Sequence, residues 1–154
     1  MAKKLQDIPI LTKQFWKKLG DETADRIRVH TTKGGKDVNN KSFEGYSTIY
    51  KARKTSGKYK RQSSTSSKPD LQLTGDMMRN LQTRGFSKDN VIIGWRDENA
   101  QKIEWNSKMG RTVTSKRRPV SKGIERFILK EVDLAIARNA KEATSKPISF
   151  KIGK

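Results

Sequence analysis

The chain has 154 residues, with 35 Lys plus Arg against 16 Asp plus Glu, and a net charge of +19. Its length fits one domain, 1–154, and a hydrophobic content of only 32% predicts a modest core with extended arms or loops around it. Without cysteine, disulfides and thiolate metal sites are excluded, the single His30 leaves little for an imidazole site, and no run approaches the about 20 apolar residues of a membrane helix.

The opening MAKKLQDIPILTKQFWKKLGDE has no apolar run behind its lysines, which predicts a soluble chain with no secretory address. A field this basic repels identical copies and attracts polyanions, so the expected partner is nucleic acid, an acidic protein surface, or both.

Leu11, Phe15, Trp16, Leu19 and Ile27 recur near helical spacing, and this predicts an amphipathic helix over about 10–28, capped by Asp7, with Pro9 in its first turn and a weak point at Gly20. Asp21, Glu22 and Asp25 read as its solvated face. TTKGGKDVNNK, 31–41, holds two glycines and two asparagines and reads as a loop. Its GGK lacks the spacing of a phosphate cradle, and His30 has no local nucleophile or acid that would make it a general base. Phe43, Tyr46, Ile49 and Tyr50 place a short helix next.

A basic arm follows at about 51–69, with Lys51, Arg53, Lys54, Lys58, Lys60 and Arg61, a serine cluster and no acid before Asp70. In LQLTGDMMRN, Thr74 can cap a helix with Asp76 in its first turn. Met77, Met78 and Leu81 give that helix an apolar face, fit for a core or a subunit interface, and Gly85 stops it. Val91–Trp95 and Lys102–Trp105 read as two strands of a hairpin joined by RDENAQ. Trp95 and Trp105 then sit on opposite arms, as core or interface packing rather than a stacking platform.

A second basic loop at about 108–122 contains Lys116, Arg117 and Arg118. Pro119 and Ser121 then stand where a helix start wants them. Ile124, Phe127, Ile128, Val132, Ala135 and Ile136 mark one face of a C-terminal helix ending near Lys146-Pro147, and the tail PISFKIGK suits an edge strand or a reach to a neighbour.

The predicted class is α+β: a small antiparallel sheet packed with an N-terminal helix, a short central helix and a C-terminal helix, plus long basic loops. The acids are scattered singly or lie in polar turns such as Asp97-Glu98, so no catalytic constellation, cofactor site or metal site is expected.

Five short stretches occur in a telling order: Gly35-Lys36-Asp37; Phe43-Glu44-Gly45-Tyr46-Ser47 with Tyr50; Leu73-Thr74-Gly75-Asp76-Met77; Val91-Ile92-Ile93-Gly94; and Arg118-Pro119. The series, spread over roughly residues 10–140, resembles the tailed-bacteriophage virion morphogenesis or tail-completion family. Glu104 to Gly110 departs from the family's His-Gln-x-Gly stretch, and Val120 stands where the family has an aromatic.

The resemblance implies a non-enzymatic structural protein at the head-tail junction, made in the host bacterial cytoplasm and residing in the neck or tail of the virion. It implies a homo-oligomeric ring, a hexamer or dodecamer, around the DNA channel, with portal, adaptor or tail proteins as partners and non-specific contact with packaged DNA. It makes Gly35, Asp37, Phe43, Tyr46, Ser47, Tyr50, Leu73, Thr74, Gly75 and Pro119 structural residues. The charge adds an expectation of its own: Lys51, Arg53, Lys54, Lys58, Lys60, Arg61, Lys116, Arg117 and Arg118 as electrostatic contacts to DNA or acidic virion surfaces. The alternative reading is a free basic nucleic-acid-binding protein.

Overall fold

Thr12 starts the first helix: its extended backbone turns the chain in, and its hydroxyl accepts from the Phe15 amide at 3.1 Å. A computed structural model describes residues 11–56, 69, 71 and 76–145, so the expected cap at Asp7 and the turn at Pro9 lie outside the described residues. The elements in order are α1 (Lys13–Thr32), α2 (Thr48–Thr55), α3 (Asp76–Arg79), β1 (Gln82–Phe86), β2 (Val91–Gly94), α4 (Asp97–Lys108) and α5 (Lys122–Ser145). The class is α+β.

α1 buries Leu19, Gly20, Thr23, Ala24, Ile27 and Thr31 along one stripe, the period of a helix with one face inward. Its opposite face is solvated as expected, with Lys17–Asp21 and Lys18–Glu22 pairs at 2.7 and 3.7 Å and an Asp25–Arg28 pair. Gly20 does not interrupt the helix, which runs unbroken through it. It is where the sheet comes closest: a Cβ there would stand 2.5 Å from Val91 Cγ2 and 2.6 Å from Thr83 Oγ1, so the bare backbone lets α1 lie on the hairpin.

The hairpin itself differs from the sequence expectation. β1 and β2 pair antiparallel, Gln82 opposite Gly94 and Phe86 opposite Val91, with an irregularity between Thr83 and Gly85. Ser87 closes the turn: its amide donates to Asn90 O at 2.9 Å and its hydroxyl accepts from the Asp89 and Asn90 amides. Gly85 is therefore a strand residue opposite Ile92, not a helix stop, and the helix before it is the single turn α3.

Residues 102–105 are not a strand either, but part of α4. The partly or fully buried positions Asn99, Ile103, Asn106 and Ser107 recur at helical spacing, with only Ile103 apolar among them. Trp95 packs against the core while Trp105, on α4, is exposed, so the two tryptophans do not share a hairpin.

The core takes one or two side chains from nearly every segment: Ala24 and Ile27 from α1, Phe43, Leu71, Met78, Leu81, Ile103 from α4, Val113, and Ile124 from α5. Met77, Ile93, Trp95, Val120 and Ile128 pack around it. α5 begins after the buried Ser121, whose carbonyl accepts from the Glu125 amide at 2.9 Å. Its first turns face inward and Phe127 lies under the Arg26 guanidinium, 3.6 Å from the ring centroid. Further on, Glu131, Leu134, Ala135 and Arg138 face Phe15, Lys18, Leu19 and Glu22 of α1 across a small pocket, and Ile136, expected on the buried face, is exposed. Among the described residues no helix is long and apolar enough to cross a membrane.

Candidate functional site

The segment from Gly35 to Tyr50 is a built framework. Gly35, at φ +57, turns the chain off α1 and accepts from the Phe43 amide at 2.9 Å, a conformation that favours glycine. Asp37, mostly buried, organises the loop between them: its Oδ1 accepts from the Asn39 and Lys41 amides at 2.8 and 2.7 Å, and its own amide donates to Lys41 O. His30, at the end of α1, lies with Nε2 2.9 Å from the Asp37 carbonyl. That contact makes it a helix-end residue in the tautomer that donates from Nε2. The bridge between Lys36 and Ser42 completes the loop and drives Phe43 into the core.

The second basic loop is stitched to this framework at three places. Val38 donates to Thr112 O at 2.9 Å, and Arg118 Nη1 donates to Asn39 Oδ1 at 2.8 Å. Arg111 donates to the carbonyls of Glu44 and Gly45, each at 3.2 Å. Arg111 is buried, and its guanidinium lies 5.0 Å from the Tyr46 ring centroid. From the other basic segment, Lys54 Nζ lies 4.9 Å from the same centroid, and Tyr50 stands 4.8 Å from it, ring to ring. One aromatic ring thus collects two cations, while its hydroxyl accepts from the Leu71 amide at 3.3 Å. Ser47 caps α2 through the Tyr50 amide at 3.3 Å.

The expected contact residues divide accordingly. Lys51 and Arg53 on α2, and Lys116 and Arg117 in the second loop, are exposed. Lys54 is only 1% exposed, so it is a packing residue and not a docking cation: a helix this short, laid against Tyr46, turns one of its basic side chains inward. Arg118 is half-buried and its amide donates to Ser115 Oγ, which makes it a loop tie. Pro119 is exposed three residues before the start of α5. Lys58, Lys60, Arg61, Leu73, Thr74 and Gly75 lie outside the described residues.

Beside this framework runs a groove of about 570 Å³ between α2 and α4, lined by Tyr46, Tyr50, Leu71, Met77, Trp105, Met109 and Arg111 among others. Trp105 is 65% exposed at its edge. Sequence reasoning misses both the groove and Arg111. Trp105 reads as a strand residue, and nothing in KMGRTV distinguishes an arginine that will be buried from its exposed neighbours. Among the described residues no three His, Asp or Glu side chains group as a metal site would require. No family model, curated protein or solved structure matches the chain.

Proposed function

We propose that the chain is a structural component of a tailed-bacteriophage virion, acting at the head-tail junction as a homo-oligomeric ring around the DNA channel. The reading is supported by one observation above others. Two of the stretches that carry the resemblance, Gly35 to Tyr50 and Arg118-Pro119, are far apart in sequence yet joined by the Arg118–Asn39 hydrogen bond, and the Val38–Thr112 and Arg111–Glu44 bonds tie the start of the same basic loop to the first of them. That framework holds two basic segments beside each other, with Lys51, Arg53, Lys116 and Arg117 exposed. Basic surfaces facing a DNA-filled lumen or an acidic neighbouring ring offset the repulsion among +19 subunits.

Particles lacking the protein are expected to fill heads and build tails but fail to join them. Joined, DNA-retaining particles would sink the proposal.

The exposed cations and the net charge also favour a second reading, a free nucleic-acid-binding protein. It requires tight DNA binding by the isolated chain, with log affinity falling about 0.9 per phosphate contact per log unit of salt. The connector reading requires co-assembly with portal, adaptor or tail proteins in fixed stoichiometry. A salt titration beside a co-assembly assay separates them.

A further inference from the structure

β2 has an open side. It pairs with β1 and, among the described residues, no other backbone group bonds to it. A strand in an antiparallel pair turns alternate N–H and C=O groups away from its partner, so the outer side of Val91–Gly94 holds a row of unused groups. The devices that usually blunt such an edge are missing: VIIG has no charge and no proline, and Ile92 is 61% exposed. A groove of about 450 Å³ runs along this side. Every residue from Val91 to Trp95 lines it, none from Gln82 to Phe86 does, and Thr114, Pro119 and Val120 form the other wall. Among the described residues, no charged side chain lines it.

An unpaired edge beside an apolar groove suits an extended segment, held by backbone hydrogen bonds and selected by its alternate side chains. The chain carries such a segment outside the described residues. In KPISFKIGK, 146–154, Ile148, Phe150 and Ile152 alternate with Ser149 and Lys151, a pattern that puts three apolar side chains on one face of a strand.

Reach decides which copy supplies it. Arg26 lies over Phe127, and Phe15 to Glu22 face Glu131 to Arg138, so α5 runs back along α1. Leu19 and Ala135 line the same small pocket, and Gly20 meets Val91, which sets Val91 near the level of Ala135. From there β2 runs toward Ile27 and Arg28, where Arg28 donates to Leu81 O beside Gly94. α5 runs the opposite way, ten residues on to Ser145, or about 15 Å. Three Cα steps from Ser145 to Ile148 cover about 11 Å at full stretch. The segment therefore falls short of β2 in its own copy.

We propose that residues 148–152 of one copy pair as a strand with the outer edge of β2 in another copy, with Ile148, Phe150 and Ile152 in the groove. The inference rests on the homo-oligomer part of the reading above and asks nothing of where the assembly resides. Charge opposes this contact: Lys116 and Arg117 belong to the loop beside the groove, and Lys146 and Lys151 to the incoming segment. Salt should therefore strengthen it by screening, the reverse of its effect on DNA binding.

The test uses the full chain in sedimentation velocity at about 0.1 M and about 1 M salt, between which the Debye length falls from about 10 to about 3 Å. Wild type is expected to self-associate, and more tightly at the higher salt. Phe150→Lys removes the central anchor of the segment, and Ile92→Lys puts a charge on the edge at an exposed position. Each is expected to weaken self-association by about tenfold or more. An equimolar mixture of the two should pair one to one, because an intact edge meets an intact segment. Pro119→Lys, also exposed in the groove wall, replaces Ile92→Lys should that variant lose its circular dichroism signal. A mixture that stays monomeric overturns the contact. Oligomers indifferent to the substitutions overturn the contact and leave the homo-oligomer intact. A wild type that is monomeric at every concentration and both salts overturns both.

Discussion

Lys54 is buried with its ammonium 4.9 Å from the centroid of the Tyr46 ring, on the helix that also presents Lys51 and Arg53 to solvent. The same ring faces Arg111 at 5.0 Å, so α2 and the second basic loop are clamped through one aromatic. Tyr46→Ala is expected to cost about 2 to 3 kcal/mol, somewhat less than a fully buried aromatic. Lys54→Met should cost about 1 kcal/mol by removing the cation–π attraction, and Lys54→Glu, which buries the wrong charge, about 3 kcal/mol. Urea unfolding midpoints read all three. An unchanged midpoint for Lys54→Glu would return Lys54 to the contact surface.

Gly20→Ala tests the approach of α1 to the hairpin. Alanine gains about 1 kcal/mol of helix propensity, but its Cβ would meet Val91 Cγ2 and Thr83 Oγ1 at 2.5 and 2.6 Å. Those atoms belong to stiff, β-branched side chains that cannot swing away. Overpacking of this kind costs about 1 to 3 kcal/mol, so the variant is expected to be less stable by about 1 kcal/mol. A stabilised Gly20→Ala in thermal unfolding would mean that α1 and the sheet are further apart.

The contrast between α1 and the hairpin explains how far the sequence can be read. α1 and α5 repeat their apolar residues over several turns and are legible, and α2 is legible as a short helix, though of Phe43, Tyr46, Ile49 and Tyr50 only the last two lie within Thr48–Thr55. β1 is not: Gln82, Thr83, Arg84 and Gly85 offer no alternating apolar face, and the strand forms because β2 and α1 pack against it. α4 misleads for the opposite reason. Ile103 and Trp105 mimic a strand's period of two, while the partly or fully buried positions of the helix are Asn99, Ile103, Asn106 and Ser107, polar at three of four. The candidate site is half legible, because loop residues such as Gly35 and Asp37 carry turn chemistry in their types. The burial of Lys54 and Arg111 depends on their meeting at Tyr46, across a long stretch of intervening sequence.

Asp37 gives the turn its shape, and two substitutions separate its charge from its geometry. Asp37→Ala removes the acceptor of the Asn39 and Lys41 amides and is expected to cost about 2 kcal/mol. Asp37→Asn keeps a carbonyl oxygen at that position and should cost about half as much. Hydrogen exchange at the Lys41 amide checks the mechanism: it should quicken in Asp37→Ala and stay slow in Asp37→Asn.

Asp21 offers a pH dependence of known sign. The hydrogen bond from Lys17 holds its carboxyl below the usual aspartate range, against a small opposing effect of burial. A carboxyl depressed on folding contributes stability above its unfolded value and loses it as pH falls through the folded one. Both side chains are about half exposed, so screening limits the pair to under about 0.5 kcal/mol. Asp21→Asn should therefore leave stability almost unchanged at neutral pH and slightly flatten its fall in the acid range below the ordinary aspartate value, by paired thermal unfolding scans.

The exposed cations can be removed without touching the frame that holds them. Lys51, Arg53, Lys116 and Arg117 are all exposed, so reversing the four to glutamate should shift stability by no more than about 0.5 kcal/mol at each site. If these side chains meet phosphates, the slope of log affinity for duplex DNA against log salt should fall by about 0.9 for each phosphate no longer neutralised. Lys54→Met should leave that slope unchanged, because its ammonium is turned toward Tyr46. A quadruple variant whose salt slope matches wild type, but which no longer co-assembles with acidic virion proteins, would assign the same four side chains to a protein surface. A variant unchanged in both assays would remove these segments from the interface and leave the groove between α2 and α4 as the surface to pursue.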